Sequence, residues 1–113
     1  MKAKAEYTVR SKIWLYPGMA GWHFLTVSEK QSKEIKKAFG GKARGWGSLP
    51  VQVTLGKTTW KTSIFPDNKS GTYLLPLKAS VRLKEGVAHG DTVRFMIRIQ
   101  SSTNAATPKR RAK

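Results

Sequence analysis

Gly71–Ile99, GTYLLPLKASVRLKEGVAHGDTVRFMIRI, is the stretch whose reading decides the fold. At its end Val93, Phe95, Ile97 and Ile99 alternate with Arg94, Met96, Arg98 and Gln100. A period of two sets one apolar side on a core and one basic side toward solvent, so this is a strand with a cationic face. Thr72 to Leu77 reads as an earlier strand, and Pro76 must lie at its edge or end because it has no N–H for a ladder. Between the two, Lys78 to Glu85 has room for one or two helical turns that Gly86 stops. His89-Gly90-Asp91 then turns the chain, with Asp91 as a carboxylate acceptor for backbone N–H groups.

Working outward, Glu6 to Tyr16 reads as a first strand with Tyr7, Val9, Ile13 and Leu15 on one side and Thr8, Arg10, Lys12 and Trp14 on the other. Pro17-Gly18 is a turn signal, and Ala20 to Val27 resumes extended structure with Trp22, Phe24 and Thr26 opposite His23, Leu25 and Val27. A hairpin is expected there. Ser28-Glu29-Lys30-Gln31 has the form of a capping box, in which Gln31 reaches back to the cap, and opens a helix of about three turns. Ile35, Ala38 and Phe39 fall on one side of that helix and Lys30, Lys33 and Lys37 on the other, and Gly40-Gly41 is expected to end it in left-handed positions. Leu49 to Leu55 and Thr58 to Phe65 are a strand pair joined by Gly56-Lys57. Pro66 to Gly71 is a turn-rich connection.

The chain has 113 residues, 22 Lys and Arg against six acids, a formal charge of +16 and no cysteine. That length suits one domain able to fold without staples, here residues 1–100, followed by a flexible basic arm over 101–113 with no apolar periodicity. The lack of cysteine excludes disulfide frameworks, thiolate catalysis and zinc ribbons, and fits a reducing cytoplasm. MKAKAEYTVR lacks the apolar run of a signal peptide and no window approaches a membrane span, so a soluble cytoplasmic protein without a membrane partner is expected. A charge of this size attracts polyanions, and nucleic acid is the commonest of them in a cytoplasm.

Trp22-His23-Phe24, the helix after it, the pair VQVTLGKTTWKTSIFP and the spacing Gly71…Leu75-Pro76…Val81-Arg82…Gly90-Asp91-Thr92-Val93 resemble the small prokaryotic domain-of-unknown-function family nineteen-oh-five, over roughly Tyr7 to Ile99. The resemblance implies a mainly β fold: a six- to seven-stranded double-split barrel, related in shape to the AbrB/MazE swapped-hairpin DNA binders, with one three-turn helix and a short helical turn. It implies no assigned activity and therefore no catalytic residue. Ser28 stands where that family tends to have Pro, and the Pro66 to Gly71 loop is more polar than its usual one.

The residues themselves point away from catalysis. His23, His89 and Asp91 have no metal-ligand spacing, and His23 between Trp22 and Phe24 suits a structural hydrogen bond. The acids Glu6, Glu29, Glu34, Asp67, Glu85 and Asp91 form no closely spaced pair on one face. The glycines lack the strand-to-helix grammar of phosphate and dinucleotide loops, and no base lies near a serine in sequence. No enzyme, cofactor or metal is expected.

Binding residues remain. Arg10, Lys12, Lys61, Arg94 and Arg98 all occupy the polar side of their alternations, and would form one stripe if their strands are neighbours. Such a stripe contacts phosphates without reading sequence, which predicts salt-sensitive, weakly specific binding of DNA or RNA. In the loop GGKARGWGS, Lys42 and Arg44 supply charge, and Trp46 could stack on a base or fold back onto the barrel end. Lys109, Arg110 and Arg111 of the arm could wrap a groove or simply solubilise. A second reading is a barrel that holds a small anionic ligand among Trp14, Trp22, Trp60 and Tyr73, set against aromatics that merely fill a barrel. A third is a protein-interaction module using a strand edge. Monomer and homodimer both remain open.

Overall fold

The computed structural model describes residues 5–18, 21–43 and 45–100, with the backbone alone at Lys42 and Trp46. Its strands are β1 (Glu6–Lys12), β2 (Trp14–Leu15), β3 (His23–Thr26), β4 (Leu49–Leu55), β5 (Thr58–Asp67), β6 (Thr72–Pro76) and β7 (Thr92–Ile99), with helices α1 (Glu29–Phe39) and α2 (Ala79–Glu85). All strand pairs are antiparallel, in the order β1-β7-β4-β5-β6-β3-β2. The expected mainly β barrel is what forms. β5 belongs to both halves of it: Thr58 to Ile64 pair with β4, and Phe65 to Asp67 pair with β6. The sheet nearly closes where β1 approaches β3 and the Thr26 N–H donates to the Ser11 hydroxyl at 3.2 Å.

Alternation fixes this arrangement. Phe95, Ile97 and Ile99 of β7 are buried while Arg94, Met96 and Arg98 are exposed, and β4 buries Leu49, Val51, Val53 and Leu55. Each such apolar side chain contributes roughly 1.5–3 kcal/mol by leaving water. A one-residue slip of β7 would bury two guanidiniums in their place, so the register is strongly specified. Ile13 is fully buried, and its backbone pairs with the corner before β7, donating to the Asp91 carbonyl and accepting from the Gly90 N–H, both at 2.9 Å. Those bonds interrupt the first strand, expected to run unbroken from Glu6 to Tyr16, and separate β1 from β2. β2 is an edge strand, and Leu15, expected to face inward, is 42% exposed.

Helix α1 starts as expected, with Ser28 accepting from the Gln31 N–H at 3.2 Å. Gln31 does not close the box through the cap's own N–H. Its carboxamide oxygen accepts from the Ser28 hydroxyl, and its nitrogen donates to the Thr8 carbonyl at 2.8 Å, tying helix to β1. The buried face is Ser32, Ile35 and Phe39, whereas Ala38 is exposed. Ser32 earns its burial by donating to the Val27 carbonyl (3.1 Å) and accepting from the Tyr73 N–H (3.0 Å), which joins α1 to the β3 and β6 side. Gly40 keeps right-handed values (φ −57°, ψ −31°) in place of the expected left-handed stop, because the helix tightens into a 3₁₀ turn over Gly40–Lys42 that occupies its carbonyls. Gly86 does end α2 in the left-handed region (φ 66°). Just before it, Glu85 accepts from the Lys57 N–H (3.2 Å) and the Thr58 hydroxyl (2.6 Å), pinning the β4–β5 hairpin to α2.

Candidate functional site

The outer face of β1-β7-β4-β5 is built in rows by the strand register. Arg10 lies directly opposite Arg94, and Lys12 opposite Thr92. Two rows away, Glu6, Arg98, Gln52 and Lys61 stand side by side on successive strands. The row between holds Thr8, Met96, Thr54 and Thr59 and carries no charge. All five cations expected on a stripe therefore share one exposed sheet face, but in two groups.

The groups differ electrostatically. Arg98 is paired: its Nε donates to the Glu6 carboxylate at 2.8 Å and its Nη2 reaches the same oxygen. Arg10, Arg94, Lys12 and Lys61 form no salt bridge among the described residues. Like charges directly opposite on antiparallel strands are destabilising, so the Arg10–Arg94 pair stands at a cost that a bound anion would remove.

A second outer surface lies at the β2–β3 end. Trp14 is paired across the ladder with Phe24, their ring centroids 5.4 Å apart. Tyr16 stands 5.8 Å from Trp14 and 5.5 Å from Phe24, and Trp22 stacks on Phe24 at 6.0 Å and 27°. Phe24 is thereby covered, to 8% exposure, while Tyr16 and Trp22 remain 39% and 49% exposed. The Trp14 indole N–H is satisfied by the Thr26 hydroxyl at 2.9 Å. Arg10, Lys12, Trp14 and Tyr16 have the same parity, with buried Ile13 facing the other way, so the unpaired cations lead along the chain into the rings.

Behind Trp22 is a cleft of about 330 Å³, lined by Trp22, His23, Thr62, Leu77, Lys78 and Arg82 among others, with no acidic residue in its wall. The His23 Nδ1 lies 2.9 Å from the Gly21 carbonyl, the structural hydrogen bond expected of it. A larger cleft of about 630 Å³, between the end of α1 and the end of β5, is lined by Lys36, Phe65, Pro66, Asn68 and Tyr73.

The four aromatics of the small-ligand reading do not share a cavity. Trp14 and Trp22 lie outside. Trp60 is half-buried against the core opposite Val53, with an indole N–H that meets no acceptor among the described residues. Tyr73 is buried beside α1 in the other cleft. The division follows from parity, since β2 and β3 turn their rings out while Trp60 points toward the core. Burial raises the Tyr73 phenol above its usual value, and burial and then the Glu34 carboxylate raise that of Tyr7, so both are neutral core groups. The Asp91 carboxylate accepts from the Ala88 N–H at 2.9 Å, as a turn acceptor should. Among the described residues no three metal-ligating side chains come together and no helix is long and apolar enough to cross a membrane. Arg44, Lys109, Arg110, Arg111 and the side chains of Lys42 and Trp46 lie outside the described residues.

Residues 10–97 match the family model described as a domain of unknown function, DUF1905. The chain belongs to the DUF1905 family. No curated protein matches it. The matched span of this DUF1905 domain includes Arg10, Lys12, Lys61 and Arg94 and the whole aromatic end, and excludes Glu6 and Arg98. Tyr16, Lys78 and Arg82 border the candidate site of this DUF1905 domain and were not among the binding residues expected from the sequence. The parity running through Ile13 was the available signal for Tyr16; the grouping of Lys78 and Arg82 behind Trp22 carries no sequence signal, being made by the β3–β6 pairing.

Proposed function

We propose that this DUF1905 domain is a non-catalytic, sequence-tolerant nucleic-acid-binding barrel that holds phosphates on the outer face of β1 and β7. The observation that carries the reading is the Arg10–Arg94 pair: two exposed guanidiniums set opposite each other with no carboxylate partner among the described residues. Planar guanidiniums match phosphate geometry through paired hydrogen bonds, and Lys12 in the adjoining row adds a point charge. With 22 cations against six acids, the chain supplies the long-range attraction that such contacts complete. A reducing cytoplasm, which a cysteine-free chain suits, offers nucleic acid as its abundant polyanion.

The test is a salt titration with a labelled oligonucleotide duplex. Each phosphate neutralised steepens the log–log slope by about 0.9. Replacing Arg10 and Arg94 together by Ala should flatten the slope by about 2 and weaken binding to unrelated sequences alike. A slope near zero for the unmodified protein would refute the proposal, and loss confined to one sequence would make base readout the better description.

A further inference from the structure

We infer that the β2–β3 end receives unpaired bases, which makes a single strand the preferred partner: bases stack on Trp22 and Tyr16, and the cleft behind Trp22 admits a nucleotide whose phosphate meets Lys78 and Arg82. This rests on the nucleic-acid reading and adds to it the state of the strand. The ring cluster has an internal purpose only in part. Trp14, Tyr16 and Trp22 cover Phe24, and that accounts for their inner faces. It leaves Trp22 half-exposed and Tyr16 nearly so.

What borders those exposed rings chooses the occupant. On one side Lys12 and Arg10 continue the same outward row; on the other Lys78 and Arg82 line the cleft that Trp22 itself walls. Cations thus flank the rings on both sides, and no acidic residue lines the cleft. A peptide or lipid tail would match the rings but not this charge, and a duplex would match the charge but not the rings, since its bases are already stacked on one another. An unpaired strand matches both, because every base has a free π-face and every nucleotide a phosphate. The chain from Arg10 to Tyr16 spans at most about 20 Å, which suits a site of several nucleotides.

The deciding experiment measures anisotropy of an end-labelled DNA single strand of about 15 nucleotides, its RNA equivalent and the matching DNA duplex, against the unmodified protein, Trp22→Ala, Trp22→Phe and the Arg10→Ala/Arg94→Ala double variant. The expected result is tighter binding of the single strands, quenched indole emission on binding, and single-strand affinity about five-fold or more weaker in Trp22→Ala, the lower range for one stacked base. Trp22→Phe keeps a ring and should keep most of the affinity; duplex affinity should be unchanged in both. Because Trp22 is half-exposed, the variants should fold, and matching thermal unfolding checks that. If Trp22→Ala leaves single-strand binding intact, or weakens strand and duplex equally, the inference falls; it falls alone if the double arginine variant still weakens both. Failure of the unmodified protein to bind any of the three oligonucleotides overturns the phosphate reading as well.

Discussion

The two outer surfaces of this barrel begin on the same row of β1 and diverge at Ile13. Up to Lys12 the row lies on a broad sheet and carries charges that repel one another; beyond it, on the β2–β3 ribbon, the row carries rings that attract one another. The first surface carries Thr8, Met96, Thr54 and Thr59 between its two charged groups and no ring contact. The second is compact because the rings find Phe24 between them. The difference teaches that outward parity alone does not make a surface inert: here it builds one face that loses stability by its composition and one that gains it. Either could be mistaken for ordinary solvated sheet if only exposure were considered.

The contrast can be broken most severely at the buried hydroxyl that joins α1 to the β3 and β6 side. Ser32→Ala leaves the Tyr73 N–H and the Val27 carbonyl without their buried hydroxyl partner, and should cost about 1–3 kcal/mol in urea unfolding. A cost below about 0.5 kcal/mol, the lower end for a net hydrogen bond, would show that α1 is held to β6 by packing alone.

Alkaline pH separates the halves through their two buried tyrosines, one beneath each. For both, the folded pKa is raised above the ordinary value near 10. The unfolded chain therefore ionises first: the stabilising contribution of each phenol is complete below pH 10 and is lost as pH climbs from 10 through the folded value. Within that window each should cost about 1.4 kcal/mol per pH unit. Tyr7→Phe should flatten the alkaline fall relative to the unmodified protein, and Glu34→Gln should shift the part due to Tyr7 while leaving that of Tyr73. An identical alkaline profile in Tyr7→Phe would remove burial as the cause.

The smallest effect sharpens the contrast most. Arg94→Thr relieves the repulsion with Arg10 and suits a strand, so it should raise stability by about 0.2–1 kcal/mol in thermal unfolding while lowering oligonucleotide affinity. A loss of stability would mean that the two guanidiniums are not in conflict.

Much of the scaffold was legible in the sequence. The alternation of β7 and β4, the Ser28 cap, the Gly86 stop and the position of Pro76 at a strand end are local signals, and local physics decided them. Gly40 was misleading because a glycine permits a left-handed stop without requiring one, and the following residues continued the helix in tighter form. Ala38, expected on the buried side of α1, is exposed, and Ser32, for which no side was predicted, is buried there because its hydroxyl finds two backbone partners. The outward parity of Arg10, Lys12, Lys61, Arg94 and Arg98 could be read, but not that Arg10 meets Arg94, nor that Glu6 cancels Arg98 from the opposite end of the chain. Those facts belong to register between strands distant in sequence. Likewise Trp14, Trp22 and Trp60 could be counted but not sorted into surface and core, because that sorting depends on how their strands pair.

The dual membership of β5 limits how such a chain can change length. A residue inserted between Ile64 and Phe65 would preserve the pairing with β4 and invert which side chains point inward over Phe65 to Asp67, so that end of β5 could no longer meet β6 in register. The turn beyond it, residues 68–71, is shorter than the expected connection from Pro66 because Pro66 and Asp67 still pair with β6, and it has no strand pairing to preserve. Length variation should therefore be tolerated in that loop and excluded a few residues earlier.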